Sequence, residues 1–315
     1  MAFIPKTIFI SGASGFVASN LIQKLANDFM VIGSSRKLNI KFPNQVKILT
    51  GNFYDQEFIN QLKRHTVDTI IHCAAIRGQT ALPDEEYQKV NVRGTEALLK
   101  YASENRNSRF IYLSTVGVLG TVPNPQPASS ANKPNPDNTY HRSKWQAEQL
   151  VRQYHSEHLK TIILRPTITY GQGDNGFMVK LQKLVLSKRL VFPKKDIMIH
   201  LLNVQALVEL INHIIREDLF DGNCYLIADH KPLLLKQLVD AVSNNIHGSA
   251  YPRYLQIPDY TFNLAKQITR FLGHKQILTS LQLISDNWTY DISNTIKNLG
   301  YQPADTLESI RSSYK

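Results

Sequence analysis

Cysteine is scarce in this chain of 315 residues, where only Cys73 and Cys224 occur. Each lies in an apolar run of the kind that forms a strand, so a disulfide framework is excluded and buried free thiols are expected. This usage is typical of a reducing compartment. We therefore predict a cytoplasmic protein, and we predict no metal site.

Long apolar runs are also lacking, so neither a signal peptide nor a membrane span is expected. The composition, with 43% hydrophobic and 19% charged residues, is that of a globular protein. The net charge of +11 is scattered in short clusters such as Lys188-Arg189 and Lys194-Lys195. Most of it is expected to be solvated surface charge, and a phosphate-bearing cofactor or substrate is the next interpretation. Neither nucleic acid nor a membrane is expected as a partner.

The strongest local pattern is near the N-terminus. A short apolar run over residues 6–11 leads into a turn that contains Gly12 and Gly15, and apolar residues at helical spacing follow over 16–25. A strand that enters a helix through glycines leaves backbone N–H groups free at the helix N-terminus, where an anion is favoured. The pattern predicts a seat for a pyrophosphate, although G-x-x-G is a weak motif by itself.

Acidic residues are absent between Phe29 and Tyr54. In a dinucleotide-binding fold, an Asp or Glu about 20 residues after the glycines binds the ribose 2′-hydroxyl of NAD, whereas Arg with small polar residues suits the 2′-phosphate of NADP. A second strand over 29–33 ends near Ser35 and Arg36. We therefore predict NADP(H) as the preferred cofactor with these two residues as contacts, and NAD(H) as the possible alternative.

Apolar runs of strand length alternate with amphipathic segments along the next part of the chain. This alternation predicts an α/β fold, a Rossmann-type doubly wound parallel sheet. The predicted strands cover 46–50, 69–75 and 109–113, and the predicted helices cover 56–65 and 85–104.

A proline-rich segment over 120–138 precedes the next helix, and we interpret it as a cover over an active site. That helix, over 140–155, begins with Tyr140 and Lys144, which lie on one helix face at i, i+4. An ammonium beside the phenol would lower its pKa toward the working range, so that Tyr140 could exchange a proton with a substrate oxygen.

Taken together, these segments resemble the extended short-chain dehydrogenase/reductases of the NAD-dependent epimerase/dehydratase group. The similarity follows the family's order over nearly the whole chain. It is carried by residues 12–18, 72–75, 91–95, 113–115, 140–144, 165–171 and 290–303.

The resemblance implies a role for each matching position. Tyr140 would be the general acid/base, Lys144 would hold the nicotinamide ribose and lower the pKa of Tyr140, and Thr115 would bind the reacting oxygen, with Ser114 as the alternative. The implied cofactor contacts are Gly12, Ser14, Gly15, Phe16 and Val17 at the pyrophosphate, Asn52 and Phe53 beside the adenine, Ala74 and Ala75 along the cofactor, and Pro166, Thr167 and Ile168 at the carboxamide.

Departures from the family pattern bear on the substrate. Val116-Gly117 stands where dehydratases carry Asp-Glu, so elimination of water is not expected, and Leu119 stands where sugar epimerases usually carry Tyr. Residues 199–205 lack the Arg that clamps the pyrophosphate of a nucleotide sugar. Lys194 or Lys195 could supply a point charge there without bidentate geometry.

The C-terminal part leaves the alternating pattern. We predict a dinucleotide-binding domain over 1–170, to which 204–228 returns, and a substrate-capping domain formed by 171–203 and 229–315. An apolar stripe at Leu264, Ile268, Phe271 and Leu272 is expected to pack in the core of this second domain, and contact with a membrane is the alternative. The helices over 87–101 and 140–154 resemble those through which the family dimerises, which implies a homodimer.

The predicted function is reversible hydride transfer between NADP(H) and a ketone or secondary alcohol, on a nucleotide-diphosphate sugar, by a 4-ketoreductase or a 4-epimerase. NADP preference favours net reduction, because epimerisation returns the hydride. One alternative is a hydroxysteroid-dehydrogenase-like or other small ketone or aldehyde reductase, motivated by Leu119 and the missing Arg. Another, from a different class, is a catalytically idle NADP-binding module.

Overall fold

The computed structural model describes residues 7–36, 42–43, 45–78, 82–105 and 108–313. Its strands are β1 (Thr7–Ser11), β2 (Met30–Ser35), β3 (Val46–Thr50), β4 (Thr69–His72), β5 (Ser108–Leu113), β6 (Leu159–Pro166), β7 (Ile168–Tyr170), β8 (Phe192–Pro193), β9 (Met198–Ile199), β10 (Leu201–Asn203), β11 (Cys224–Ile227), β12 (Leu233–Leu234) and β13 (Gln256–Ile257). Its α-helices are α1 (Phe16–Leu25), α2 (Gln56–Leu62), α3 (Asp84–Tyr87), α4 (Gly94–Glu104), α5 (Thr139–Tyr154), α6 (Phe177–Leu186), α7 (Val204–Arg216), α8 (Leu235–His247), α9 (Asp259–Phe271), α10 (Lys275–Ser285), α11 (Ser293–Leu299) and α12 (Thr306–Ser313).

Seven strands form the central sheet in the order β11-β6-β5-β4-β1-β2-β3, and every neighbouring pair is parallel. The predicted doubly wound α/β fold is confirmed. All five residues of β1 are buried, which explains why this strand is a continuous apolar run rather than an alternating one. The chain order reverses at β1, which lies between β2 and β4. A crevice at this switch point is where such sheets bind ligands.

Several elements differ from the sequence prediction. The strand β6 was not predicted, although it lies in the middle of the sheet between β5 and β11. The predicted helix over 85–104 is divided, because a π-helical turn, Gln88–Arg93, separates α3 from α4. The predicted strand over 69–75 ends at His72, and residues 73–77 continue as irregular backbone. Lys6 and Lys37 lie outside the described residues.

The segment 120–138 has no helix or strand and is fastened to the C-terminal part of the chain. The N–H of Ala128 donates to the carbonyl of Thr289 at 2.9 Å, and the N–H of Asp291 donates to the carbonyl of Ala128 at 2.8 Å. The short ladders β7–β10, β9–β12 and β8–β13 lie outside the central sheet. Nearer the sheet, α7 packs on α1, and β11 forms the edge strand.

The apolar stripe of α9 does not pack in a core, so that expectation was wrong. Leu264 is 55% exposed, Ile268 50% and Phe271 91%. The helix turns other residues inward, among them Phe262 and Thr269. Within the described ranges, none of the helices combines the length and apolar character needed to cross a bilayer.

Candidate active site

The glycine turn lies where β1 enters α1. Gly12 has φ +74°, and a Cβ there would lie 3.0 Å from Cα of Ala74, so a side chain would close the approach between the turn and the end of β4. Gly15 begins α1 and brings no side chain to cap the helix, and Ser14 and Gly15 are both exposed. The first N–H groups of α1, at Phe16 and Val17, are therefore open to an anionic group. This cradle fits the pyrophosphate of a dinucleotide.

Arg36, which follows β2, and Ala75, which follows β4, both line a cavity of about 250 Å³. Ser35 is buried at the end of β2, and Arg36 follows it on the surface. Ser34 contacts the glycine turn, because its hydroxyl oxygen accepts a hydrogen bond from the N–H of Gly12 at 3.1 Å. The remaining lining residues are Tyr54, Ile76, Arg77, Leu82, Glu86 and Val90.

Asn52 and Phe53, expected beside the adenine, lie at the end of β3. The Phe53 ring is buried in edge contact with His72, at 5.3 Å between ring centroids, and a Cβ on Gly94 would lie 2.6 Å from it. Phe53 can therefore offer the cavity its backbone, whereas the aromatic side chain that lines the cavity is that of Tyr54. Asn52 donates its amide to Asp55 at 2.9 Å. The sequence analysis missed Tyr54, although it is the next residue along.

Tyr140 lies at the first turn of α5, against the backbone that follows β4. A Cβ on Gly78 would lie 3.2 Å from Cβ of Tyr140. Burial raises the pKa of the Tyr140 phenol to about 12, and the positive charge of Arg77 opposes that shift. Arg77 also lines the cavity, and its guanidinium donates to Asn175 at 3.2 Å. The sequence analysis did not identify Arg77, which is the cation that favours the phenolate.

Lys144 is buried beside the ends of β4 and β5. Its ammonium donates to the carbonyl of Leu113 at 2.6 Å and lies 4.1 Å from the centre of the Tyr112 ring. Burial lowers the pKa of Lys144 to about 7, against the raising effect of Glu148. The ammonium is bound to the sheet, and Arg77 is the cation whose charge lowers the pKa of Tyr140 here. That Lys144 lowers the pKa of Tyr140 stays a prediction. The side chain nevertheless lies at the predicted edge.

Two residues are candidates for binding the reacting oxygen, Thr115 and Ser114. They differ in the hydrogen bonds that their hydroxyls form. Thr115 is half-buried, and its oxygen accepts the N–H of Gly117 at 3.1 Å, which leaves its O–H able to donate elsewhere. Ser114 is buried and donates its hydroxyl to Glu148. The geometry favours Thr115 for the role.

The carboxylate that holds Ser114 belongs to a buried ion pair. Glu148 of α5 accepts from Arg165 of β6 through both oxygens, at 2.9 and 2.7 Å, and the two side chains are 0% and 2% exposed. Arg165 has a structural role in this position, because its ion pair holds the helix that carries Tyr140 and Lys144 against the sheet. Arg165 belonged to the matched segment 165–171, but the sequence assigned it no role.

Asn91 explains the irregular turn between α3 and α4. Its amide oxygen accepts the N–H of Ile76 at 2.8 Å, and its amide nitrogen donates to the carbonyl of Ile76 at 3.0 Å and to Ser143 at 2.9 Å. One buried side chain thus joins the segment after β4 to the helix α5. π-Helical turns often occur at functional sites, and here the turn carries Asn91 between the two elements.

The imidazole ring of His141 occupies the space that a side chain at Gly117 would need. A Cβ on Gly117 would lie only 2.1 Å from Nε2 of His141, so only glycine fits there. Nδ1 of His141 lies 2.6 Å from a carboxylate oxygen of Asp137. Burial opposes ionisation of Asp137, but the hydrogen bonds from His141 and from the N–H of Thr121 prevail and lower its pKa to about 2. The sequence analysis missed this pair. The signal for it is an Asp four residues before His141, which lies in the helix that carries Tyr140.

Residues 166–168 continue from β6 into β7 at the same edge. The N–H of Thr167 donates to Ile227 at 3.0 Å, and its carbonyl accepts from Thr169 at 3.0 Å. The buried hydroxyl of Thr167 forms no hydrogen bond within the described part of the chain. Buried polar groups are normally paired, so this hydroxyl fits a polar ligand group such as the carboxamide. Pro166 and Ile168 flank it and are half-buried.

No group of three or more His, Cys, Asp or Glu side chains that could hold a metal ion occurs in the parts of the chain that the structure describes.

The family model for the NAD dependent epimerase/dehydratase family matches residues 8–213 of this chain. The chain is 28% identical over 317 residues to the UDP-glucose 4-epimerase of Vibrio cholerae, covering 97% of this chain and 93% of that protein. It is 26% identical over 293 residues to the N-acetyl-alpha-D-glucosaminyl-diphospho-ditrans,octacis-undecaprenol 4-epimerase of Escherichia coli O157:H7, covering 88% and 84%. It is also 26% identical over 329 residues to a 3 beta-hydroxysteroid dehydrogenase/isomerase of Mycobacterium tuberculosis, covering 96% and 87%.

Solved structures show the same fold. The enzyme WbmH of Bordetella bronchiseptica, in complex with NAD+, superposes with a TM-score of 0.79 at 19% identity, covering 98% of this chain and 97% of that one. The UDP-glucose 4-epimerase of Thermotoga maritima, with UDP-glucose, superposes with a TM-score of 0.78 at 18% identity and the same coverage.

Proposed function

The chain belongs to the NAD-dependent epimerase/dehydratase family, and we propose that it catalyses reversible hydride transfer between NADP(H) and a ketone or secondary alcohol of a nucleotide-diphosphate sugar. The observation that carries this proposal is the position of Tyr140. Its phenol lies beside Arg77, and its helix holds Lys144 at the ends of β4 and β5, next to the glycine turn. The prediction of an enzyme of the extended short-chain dehydrogenase/reductase type is confirmed by the family match and the relatives.

The chain's own residues divide the work at the substrate. When bound, the dinucleotide supplies the two-electron acceptor or donor. Tyr140 takes the proton from the substrate hydroxyl, or returns it to the carbonyl oxygen, and Thr115 donates its O–H to the same oxygen. Arg77 favours the phenolate form of Tyr140, and Lys144 would hold the nicotinamide ribose from the buried side. Ala74 and Ala75 leave room along the cofactor because their side chains are small.

NADP(H) is the cofactor that we propose over NAD(H). Arg36 lies on the cavity surface directly after Ser35, and no carboxylate occurs at the end of β2 to accept a ribose hydroxyl. The solved relatives cited above include a complex with NAD+, so the preference is a property that this chain would not share with that protein. Substitution of Arg36 tests this cofactor preference.

Replacing Arg36 by Ala should weaken NADPH binding about 10- to 100-fold, the worth of one charge-assisted hydrogen bond to phosphate. NADH binding should change little, since the 2′-hydroxyl carries no charge. Fluorescence titration of both cofactors on the wild-type and variant proteins measures this directly. Equal losses for the two cofactors would contradict the assignment of the 2′-phosphate site.

A nucleotide-diphosphate sugar is the substrate class that we propose. Relatives along almost the full chain include proteins named for UDP-glucose and for a diphospho-linked sugar. Residues 199–205 lack the Arg that would clamp the diphosphate, and Lys194 and Lys195 do not line the cavity that Arg36 and Arg77 line.

A small apolar ketone remains the second candidate, because the clamp is missing and Leu119 is buried before Gly120. The deciding experiment is thermal-shift screening of the protein with NADP+ against UDP-, dTDP- and GDP-sugars and against steroid and other apolar ketones. A shift with one nucleotide sugar, followed by turnover with it, supports the proposal. A shift and turnover confined to apolar ketones would replace it with the second candidate.

Net reduction at C4 is the outcome that we favour over 4-epimerisation, since NADP(H) serves reductive chemistry. Turnover assays that follow both NADPH oxidation and the configuration of the sugar product distinguish the two. The homodimer and the cytoplasmic location stay predictions from the sequence.

A further inference from the structure

The helices α9 and α10 pack against one another and present an uncovered apolar face. We use this name for Tyr260, Leu264, Ile268, Phe271, Leu272 and Ile277, each of which is at least half exposed. The most exposed is Phe271, at 91%, where α9 ends before the turn to α10. Soluble monomers seldom leave contiguous apolar patches of this kind without a binding role.

Polar side chains on the same helix point inward, which shows that the apolar face is not an accident of a loosely packed helix. Lys266 has a side chain only 13% exposed, and its ammonium contacts both carboxylate oxygens of Asp286 at 2.8 Å. Thr269 is 8% exposed and donates its hydroxyl to the carbonyl of Ala265 at 2.6 Å. The helix thus satisfies its inward polar groups while Leu264 and Ile268 face water.

Exposed cations border the apolar face. Arg270 and Lys275 of the α9–α10 pair are exposed, whereas Lys266 is paired inward with Asp286. Lys194 and Lys195 are also exposed. They lie next to the start of α9, because β8 pairs with β13 and the N–H of Lys195 donates to Asp259. The apolar face is therefore bordered by cations from two segments.

We propose that the apolar face docks this chain on the surface of an anionic lipid membrane. Helices of 13 and 11 residues are too short to span a bilayer but suit the interface, where apolar side chains enter the acyl boundary and cations meet the headgroups. Each Lys or Arg near such a surface contributes about 1 kcal/mol. Docking on a second copy is disfavoured, because two such hairpins would bring like charges together.

Vesicle co-sedimentation of the full chain tests the proposal. The probes are phosphatidylcholine vesicles with and without phosphatidylglycerol, each at low and high salt. We expect the protein to bind the vesicles that contain phosphatidylglycerol and to bind them less at high salt. Absence of binding to these vesicles at low salt would overturn the proposal.

Two variants locate the binding surface. Replacing both Ile268 and Phe271 by Ser should reduce the bound fraction at least about tenfold, because two apolar side chains are withdrawn from the interface. The matched control is Met30→Ser, which removes another exposed apolar side chain at the start of β2. The control should bind as the wild type does.

Two outcomes with these variants would also overturn the proposal. One is an equal loss of vesicle binding in the double variant and in Met30→Ser. The other is a dimer that dissociates in the double variant during sedimentation equilibrium, which would assign the apolar face to a second copy. Circular dichroism of the double variant should match the wild type, since both replaced side chains are exposed.

Discussion

The carboxyl edge of the sheet and the α9–α10 pair both bury charged side chains, but they treat apolar residues in opposite ways. At the sheet edge, Lys144 and Glu148 of α5 and Arg165 of β6 are buried, and every residue of the neighbouring strand β5 is buried as well. In the α9–α10 pair, Lys266 points inward and the apolar side chains point outward.

The difference concerns what burial does in each place. At the edge, burial lowers the pKa of Lys144 to about 7 and raises that of Tyr140 to about 12, so burial disfavours the charged form of both side chains. In the α9–α10 pair, Lys266 is held by one partner, Asp286, and serves to anchor the helix. An amphipathic helix therefore does not reveal from its pattern alone which of its faces meets the protein.

Replacing Tyr140 by Phe should have the largest effect. Removal of the proton donor and acceptor should lower kcat by about 10³-fold, within the range for general acid/base catalysis, while NADPH affinity stays close to that of the wild type. Steady-state kinetics and cofactor titration measure both. The control is Tyr254→Phe, at an exposed tyrosine of the C-terminal part, which should leave kcat unchanged. Retained turnover in Tyr140→Phe would show that the acid/base lies elsewhere.

Replacing Glu148 by Gln should come next, as a loss of stability. Arg165 would keep its charge without a buried counterion, and such a change costs about 3 kcal/mol in the free energy of unfolding. Lys266→Gln, which breaks the more accessible pair with Asp286, should cost about 1 kcal/mol or less. Urea denaturation of the two variants compares them. Equal losses in the free energy of unfolding would contradict the expectation that the buried ion pair at the sheet edge contributes more than the accessible pair of α9 and α10.

Replacing Gly117 by Ala should lower kcat by about tenfold, because the added Cβ would displace the His141 ring and break its contact with Asp137. The double variant Gly117→Ala with His141→Ala removes the collision. If it restores stability but not kcat, the imidazole itself assists turnover, and if it restores both, the collision alone was harmful. Wild-type kinetics in the single variant would contradict the close packing.

Replacing Arg77 by Gln should have the smallest effect, seen as a shift in the pH profile. The positive charge of Arg77 lowers the pKa of Tyr140, so its removal raises that pKa further. The phenolate acts as the base in alcohol oxidation, so the rise of kcat/KM with pH should move to higher pH, by less than about one unit since Arg77 is exposed. Arg77→Lys should keep the wild-type profile. An unmoved profile in Arg77→Gln would refute the coupling.

Local sequence predicted those parts of the site that depend on short-range geometry. The glycine turn, the small residues after β4 and the Tyr140–Lys144 spacing all follow from neighbours along one element, and the structure brings them to one edge of the sheet. Partners from distant elements were not predictable in this way. Asn91 acts on Ile76 and Ser143, and Glu148 acts on Arg165, because folding brings separate helices and strands together.

The sequence by itself determined the doubly wound sheet, since alternating buried strands and amphipathic helices leave few other arrangements. Only the tertiary structure decided where the charges act. It bound the Lys144 ammonium to the Leu113 carbonyl and left Arg77 to act on Tyr140, because hydrogen bonds and burial depend on the distance between side chains in space. It also left the α9 stripe exposed while Phe262 and Thr269 of the same helix are buried, because burial depends on which face the rest of the chain covers.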